Sequence, residues 1–267
     1  MLECVVNISE GRDRALIAQI AASAGPACLD VHSDPDHHRS VLTLVGEEAA
    51  RAVATAAVAT LDLRAHVGVH PRLGAVDVVP FVALGSATVA EALAARDSFA
   101  AWFAAEHGVP CFLYGPERTL PEVRREAFRG LRPDAGPAVP HPTAGATAVG
   151  QRGVLVAYNV WVSGADLPTV QRIAGEVRGP SLRALGLAVG DRFQVSMNLI
   201  DPLVVGPAAA FDEVRRSAQA NGAQVDGAEL VGLLPDAVLQ AVPRQRWTAL
   251  DLARERTIEA RVQPGGA

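Results

Sequence analysis

The strongest constraint on the fold is an alternation of short apolar runs, rich in Val, Leu and Ile, with longer segments of helical period. This alternation is typical of α/β proteins, in which helices pack against a sheet. It predicts strands near 3–7, 27–31, 41–45, 76–82, 111–114, 154–161 and 193–199, and a further strand between 220 and 235. It predicts helices over 14–22, 47–61, 88–105, 120–128, 167–177 and 208–220, and a short helix around 235–241. The Gly- and Pro-rich segments 64–75 and 132–153 are predicted to be loops.

The length sets the number of domains. A chain of 267 residues, 49% of them hydrophobic, is long enough for one or two domains with a sizeable core. A polar turn over 163–166 separates two rounds of strands and helices. We therefore expect an N-terminal subdomain over 1–163 and a C-terminal subdomain over 164–267.

Charge and residue usage exclude several function classes. With 24 basic and 29 acidic residues the formal charge is −5, which disfavours a nucleic acid or an anionic membrane as partner. All the basic residues are arginine, so Schiff-base, P-loop and general-base lysines are excluded. The three cysteines lie in apolar runs, and neither a signal peptide nor a membrane span is evident. These features predict a soluble cytoplasmic protein.

Histidine is concentrated in one part of the chain. Five of the seven histidines lie between positions 32 and 70, namely His32, His37, His38, His66 and His70. Histidine serves as general acid, general base or metal ligand. His66 and His70 have the four-residue spacing of helical zinc ligands, but Gly68 and Pro71 disfavour a helix there. We expect no metal, and a metal-dependent hydrolase stays the least favoured alternative.

His70 has the most suggestive neighbours. Pro71 restrains the backbone after it, Arg72 can hold an anionic substrate, and Asp77 lies at the start of the next strand. Asn7 and Glu10 lie where the first strand runs into a polar turn, in which Ser9 or Asn7 also suits capping of the next helix. Arg39 also fits a surface ion pair.

Eight segments, in this order, match those of a known family: 3–12 (ECVVNISEGR), 29–31 with 39–41, 68–77 (GVHPRLGAVD), 113–115, 145–147, 155–159 (LVAYN), 194–199 (QVSMNL) and 229–233 (ELVGL). Together they resemble glutamate formiminotransferase, the formiminotransferase domain of the formiminotransferase-cyclodeaminase family, in a stand-alone bacterial form. The resemblance covers nearly the whole chain. No cyclodeaminase activity is expected.

The resemblance implies an α/β (α+β) fold of two subdomains. Each would have a mixed or antiparallel sheet with helices packed on it, a ligand cleft would lie between the two, and the protein would be a homodimer. It implies transfer of a formimino group from N-formimino-L-glutamate to N5 of tetrahydrofolate, the co-substrate, in histidine degradation and one-carbon metabolism. His70 would be the general base and acid. The residues expected to bind folate or the donor are Arg39, Arg72, Asp77, Asn7, Glu10, His32, Gly150, Tyr158 and Asn159.

Three positions depart from the vertebrate pattern of this family. Val69 replaces Glu, His32 replaces Asp, and His38 replaces Asn. Carboxylates stabilise a cationic amidinium and protonated histidines oppose it, so these changes affect how the donor would bind. The alternative is a folate-binding member of the family with another one-carbon donor, or without catalysis.

Overall fold

The computed structural model describes residues 1–68 and 72–262. Its contacts divide the chain into two compact units, Met1–Arg152 and Gly153–Ala267. This division falls before the expected boundary at residues 163 and 164, because the strand Val156–Ser163 pairs entirely with strands of the second unit.

A six-stranded mixed sheet forms the first unit. Its strands are β1 (Leu2–Ile8), β2 (Cys28–Asp34), β3 (Arg39–Val45), β4 (Val76–Ala83), β5 (Cys111–Tyr114) and β6 (Thr147–Gln151), in the order β2-β3-β1-β4-β6-β5. β1 runs antiparallel to β3 and β4, whereas β6 runs parallel to β4 and β5. The helices of this unit are α1 (Arg14–Ala22), α2 (Glu47–Thr60), α3 (Val89–His107) and α4 (Leu120–Glu126).

Apolar residues at alternate strand positions hold the helices on this sheet. Cys4, Val6 and Ile8 of β1 join the core cluster that includes residues of α1, α2 and α3. A smaller cluster on the opposite face joins β4, β5 and β6 to α4. Both α3 and α4 begin with a capping box, formed by Thr88 with Glu91 and by Thr119 with Glu122.

The second unit has a four-stranded antiparallel sheet. Its strands are β7 (Val156–Ser163), β8 (Leu182–Val189), β9 (Arg192–Leu199) and β10 (Gln224–Val231), in the order β10-β7-β9-β8. Its helices are α5 (Leu167–Val177), α6 (Pro207–Ala220), α7 (Asp236–Gln240) and α8 (Ile258–Val262). Alternate strand residues pack with apolar residues of α5 and α6 into one core cluster.

The predicted fold class is confirmed: two units, each with a sheet and packed helices, form a mixed α and β structure. Two strands depart from the prediction. β6 lies inside the segment expected to be a loop, because β4 and β5 pair with it on both sides. The sequence predicts no strand at β8, which forms a hairpin with β9 around Gly190, whose φ is +60°. Among the described residues, no helix has the length and apolar character needed to cross a membrane.

A substitution at Gly150 tests the packing of β6. An added Cβ would lie 2.1–2.3 Å from three ring atoms of Tyr114, which is buried. We therefore expect Gly150→Ala to lower the free energy of unfolding by about 1–3 kcal/mol, the usual cost of overpacking. The measurement is urea unfolding followed by circular dichroism.

Gly175→Ala is the control for Gly150→Ala. Gly175 lies inside α5, where an added Cβ would have no neighbour within 4 Å. Alanine should stabilise that helix by about 0.5–1 kcal/mol. Equal unfolding midpoints for the two variants would contradict this account of the packing.

Candidate active site

The buried carboxylate of Asp77 joins three segments of the first unit. The side chain is fully buried at the start of β4, and its Oδ1 accepts a hydrogen bond from the Leu73 backbone N–H at 2.6 Å. Arg124 of α4 donates to Oδ2 at 2.7 Å, and Arg39 at the start of β3 donates to the same oxygen. The carboxylate thereby connects the chain after His70 to β3 and α4.

The surroundings of Asp77 keep its carboxylate ionised. Burial acts to raise the pKa of Asp77, but Arg39 and Arg124 together with the hydrogen bonds outweigh it, so the pKa lies below the ordinary value of 3.8. A depressed pKa in the folded state contributes stability that is present above the unfolded-state pKa. That stability is lost as pH falls through the folded-state pKa.

Arg39 is held by the same cluster. Its side chain is 13% exposed. Burial lowers the pKa of Arg39 to about 10, with Arg124 and Arg72 acting in the same direction and Asp77 opposing them. Arg39 is therefore still charged at neutral pH.

The turn before β3 positions Arg39 through close backbone packing. Asp34 Oδ1 accepts hydrogen bonds from the backbone N–H groups of residues 36 and 37, each at 2.8 Å. Gly11 lies against this turn, and a Cβ there would be 2.2 Å from the Asp34 carbonyl oxygen and 2.4 Å from the Arg39 nitrogen. Only glycine allows this close approach of the two backbones.

Glu10 organises the segment that follows β1. Its Oε1 accepts hydrogen bonds from the N–H groups of Gly11, Arg12 and Asp13 at 2.7–3.0 Å. The Gly11 N–H is shared with Nδ1 of His38, which lies 3.3 Å from the Glu10 carboxylate. Glu10 therefore supports the local backbone and lies beside one of the clustered histidines.

His38 and His66 form a neutral pair of imidazoles, with ring centroids 4.0 Å apart. His66 Nε2 donates to the His38 carbonyl oxygen at 3.1 Å, which leaves Nδ1 to accept from Arg72 Nη1. Burial lowers the pKa of His66, and Arg72 and His38 lower it further. Burial is also the main cause of the lowered pKa of His38, although Glu10 opposes it.

The structure brings four of the expected ligand-binding residues together. Arg39, Arg72, Asp77 and Glu10 lie in one cluster of the first unit with the two histidines. His70 and the neighbouring Val69 fall outside the described residues. The catalytic role of His70 therefore stays a prediction.

Three other expected residues of the first unit make their own contacts. Asn7 is half-buried in β1 and donates to the Val5 carbonyl oxygen at 3.0 Å. His32 lies half-buried on β2, the outer strand of the sheet, opposite Val41 of β3. Gly150 lies in β6 beneath the Tyr114 ring. Ligand binding by these residues stays a prediction.

Tyr158 and Asn159 lie on opposite faces of β7 in the second unit. Tyr158 is fully buried in the core on the helical side, and its hydroxyl donates to the Leu250 carbonyl oxygen at 2.9 Å. Asn159 is 6% exposed, and its Nδ2 donates to Glu229 Oε2 at 3.2 Å. Gln194 Nε2 donates to the same oxygen at 3.2 Å.

Sequence reasoning missed several of these polar residues. Arg124 shares its helical turn with Arg125 and has no distinguishing pattern. Gln194 and Glu229 each begin a segment that matches the family, but no role in the site is predicted for them from the sequence. The sequence places His66 among the clustered histidines but does not predict its contact with Arg72. In residues 1–68 and 72–262, no three or more His, Cys, Asp or Glu side chains are grouped to hold a metal ion.

Family models match both units. The model described as the N-terminal subdomain of the formiminotransferase domain matches residues 1–152, and the one described as the formiminotransferase domain matches residues 156–246. The chain belongs to the formiminotransferase family. This confirms the resemblance found in the sequence.

Individual relatives agree with the family match. The chain is 36% identical to the glutamate formimidoyltransferase of Streptococcus pyogenes serotype M1, over 88% of this chain and 89% of the relative. It is 32% identical to the glutamate formimidoyltransferase of Thermoplasma acidophilum, over 90% and 89%. It is 34% identical to the formimidoyltransferase-cyclodeaminase of Sus scrofa, over 88% of this chain and 50% of that larger protein.

Replacing Asp77 tests whether the cluster depends on its charge. Asp77→Asn leaves Arg39 and Arg124 close together without the carboxylate, and breaking a buried ion pair costs about 3–5 kcal/mol. We expect the free energy of unfolding in urea at pH 7 to fall by that amount. Glu48→Gln is the control, since Glu48 is 92% exposed and 3.9 Å from Arg51, and it should change nothing measurable. Equal effects of the two substitutions would rule out the proposed role of the Asp77 charge.

Proposed function

We propose that this protein transfers the formimino group of N-formimino-L-glutamate to N5 of tetrahydrofolate. Both parts of the formiminotransferase domain are matched, and the relatives named glutamate formimidoyltransferase align over nearly all of their length. The structural observation that most supports this reaction is the arginine cluster around Asp77. This cluster lies next in sequence to His70.

The reaction needs one proton to be taken up and one to be supplied. A bond forms between N5 and the formimino carbon while the bond from that carbon to the glutamate nitrogen breaks. His70 takes the N5 proton and returns a proton to the departing nitrogen, which is suited to a side chain with a pKa near neutrality. No electrons are exchanged, so tetrahydrofolate acts as a co-substrate and no redox group is required.

The arginine cluster binds the carboxylates of the donor in this proposal. Arg39, Arg72 and Arg124 with Asp77 carry a net positive formal charge, and guanidinium groups bind carboxylates through paired hydrogen bonds. Formiminoglutamate has both carboxylates a few bonds from its reacting carbon, whereas those of folate are far from N5. Asp77 holds Leu73, three residues after His70. A positively charged cluster near His70 therefore suits the carboxylates of formiminoglutamate better than those of folate.

The lowered pKa of His38 removes one objection to formiminoglutamate as the donor. Protonated imidazoles would oppose a cationic formimino group, which was the concern raised by His38. The pKa of His38 is lowered, mainly by burial, so that its ring is uncharged at neutral pH. The relatives named glutamate formimidoyltransferase support the main function over the alternative of a redirected or inactive family member.

The same proposal includes a cytoplasmic homodimer that uses small-molecule substrates. The family resemblance supports the dimer. Cys4, Cys28 and Cys111 are all free thiols, as expected in a reducing compartment. The formal charge of −5 disfavours nucleic acids and anionic membranes as partners.

His70→Ala tests the proposed mechanism. Purified protein is mixed with tetrahydrofolate and formiminoglutamate, and the absorbance of the 5-formimino product is followed. We expect the substitution to lower kcat by about 10²- to 10⁴-fold, the usual contribution of general acid–base catalysis. His107→Ala is the control, because His107 lies at the end of α3 against Trp102 and Phe103.

The outcomes of this experiment separate two failures. A wild-type protein without transfer activity would contradict the proposed function. Active wild-type protein with equally active His70→Ala would leave the function intact and exclude His70 as the base. Equal losses in His70→Ala and His107→Ala would also exclude a specific role for His70.

A further inference from the structure

Arg72 is held by a histidine that the proposed reaction does not use. Arg72 Nη1 donates to Nδ1 of His66 and lies 2.6 Å from its Nε2, so the guanidinium contacts the ring edge between the two nitrogens. His66 is half-buried and follows the short helix Leu63–Ala65. In the proposed reaction His66 moves no proton, and its contact with an arginine of the site therefore needs another explanation.

The contact with Arg72 requires the neutral form of His66. Nε2 of His66 lies 3.1 Å from the carbonyl oxygen of His38, which can only accept a hydrogen bond, so Nε2 carries the proton. Nδ1 then has the lone pair that accepts from Arg72. A second proton on His66 would turn Nδ1 into a donor and would place two cations in contact.

The carbonyl group that fixes this tautomer belongs to a residue with an uncommon backbone conformation. His38 has a φ of +51°, in the left-handed region that few residues other than glycine adopt. Its ring is also held, because its Nδ1 accepts from the Gly11 N–H at 3.1 Å. Such backbone strain persists where the surrounding contacts impose it, and it is concentrated at functional sites. These contacts hold the His38 carbonyl where it accepts from His66.

Gly68 packs against the guanidinium of Arg72. A Cβ at Gly68 would lie 2.7 Å from Arg72 Nη2 and 2.8 Å from the His37 carbonyl oxygen. The guanidinium therefore contacts the backbone at Gly68 as well as the ring edge of His66. Because a guanidinium is planar and rigid, contacts that fix Nη1 and Nη2 also set the direction of its N–H groups.

We propose that His66 is a positioning residue whose neutral ring orients Arg72 for the carboxylates of formiminoglutamate, and that protonation of this ring weakens binding of the donor. This inference rests on the proposed function. A guanidinium binds a carboxylate well only when its paired N–H groups point at it. Loss of this orientation outweighs the attraction of one more positive charge, because solvent screens a half-buried ring.

The surroundings of His66 set the pH range of this effect. Burial lowers the pKa of His66 most, followed by Arg72 and His38, whereas the hydrogen bond to the His38 carbonyl and the charge of Glu10 oppose them. The pKa therefore lies below the ordinary value of 6.5. The ring is neutral at pH 7 and becomes protonated as the pH falls through this lowered pKa. Asp77 stays ionised in that range, since its pKa lies below 3.8.

Two substitutions separate the acceptor of His66 from the bulk of its ring. Asparagine keeps an oxygen acceptor near the position of Nδ1 and cannot be protonated, whereas leucine keeps only the bulk. At pH 7 we expect His66→Leu to raise the KM for formiminoglutamate at least about tenfold, the scale of a hydrogen bond to a charged group, and His66→Asn to stay within about threefold of wild type. The KM for tetrahydrofolate should change less than about twofold in both variants.

His107→Leu is the matched control for His66→Leu. His107 is also half-buried, but it lies at the end of α3 against Trp102 and Phe103. Its replacement should leave both KM values as in wild type. An unchanged KM for formiminoglutamate in a folded His66→Leu protein would overturn the inference.

The pH profile separates positioning from a purely structural role of the ring. The KM for formiminoglutamate is measured between pH 7 and about pH 5 in wild type and in His66→Asn, which share every other titrating group. We expect the wild-type KM to rise at least about threefold more than that of His66→Asn as the pH falls. This comparison also decides the question if His66→Leu does not fold.

The outcomes distinguish this inference from the proposed function. Parallel pH profiles of wild type and His66→Asn would overturn the inference while leaving formimino transfer intact. Wild-type protein without transfer activity would instead contradict the proposed function.

Discussion

The ionised, buried carboxylate of Asp77 is the interaction on which the first unit's site depends. A carboxylate without solvent is costly, and it is tolerated here because Arg39, Arg124 and the Leu73 N–H satisfy it. These partners come from β3, from α4 and from the segment that follows His70. A single charge thus connects three segments that are distant in sequence, and it holds Arg39 and Arg124 side by side.

The second unit also places buried polar groups on its sheet, here two amides and one carboxylate. Its core is closed by apolar residues on the helical side of the sheet, while Asn159, Gln194 and Glu229 satisfy one another on the other side, except at Gln194 Oε1. In both units a regular sheet provides rigid positions, and a few polar side chains at strand ends or on one face provide the chemistry. Side chains on such rigid strands are held more precisely than side chains on loops.

Much of the fold was predictable because its strands and helices follow their hydrophobic periods. The sequence does not predict β6, because the strands that pair with it on both sides lie far away along the chain. It does not predict β8, because the short turn at Gly190 that joins β8 to β9 carries too weak a signal. Family motifs placed Arg39, Arg72, Asp77 and Glu10 in the site, and the structure brings them together. Arg124 could not be predicted, because only the packing of α4 distinguishes it from Arg125.

The most direct test of this account is the KM for formiminoglutamate in Arg124→Gln, with Arg125→Gln as its matched neighbour. Arg124 donates to Asp77, whereas Arg125 is 62% exposed and pairs with Glu126. We expect Arg124→Gln to raise this KM at least about tenfold, the scale of one charge-assisted pair. The KM for tetrahydrofolate should stay within twofold, and Arg125→Gln should match wild type. Equal KM values for formiminoglutamate in the two variants would contradict a donor site built around Asp77.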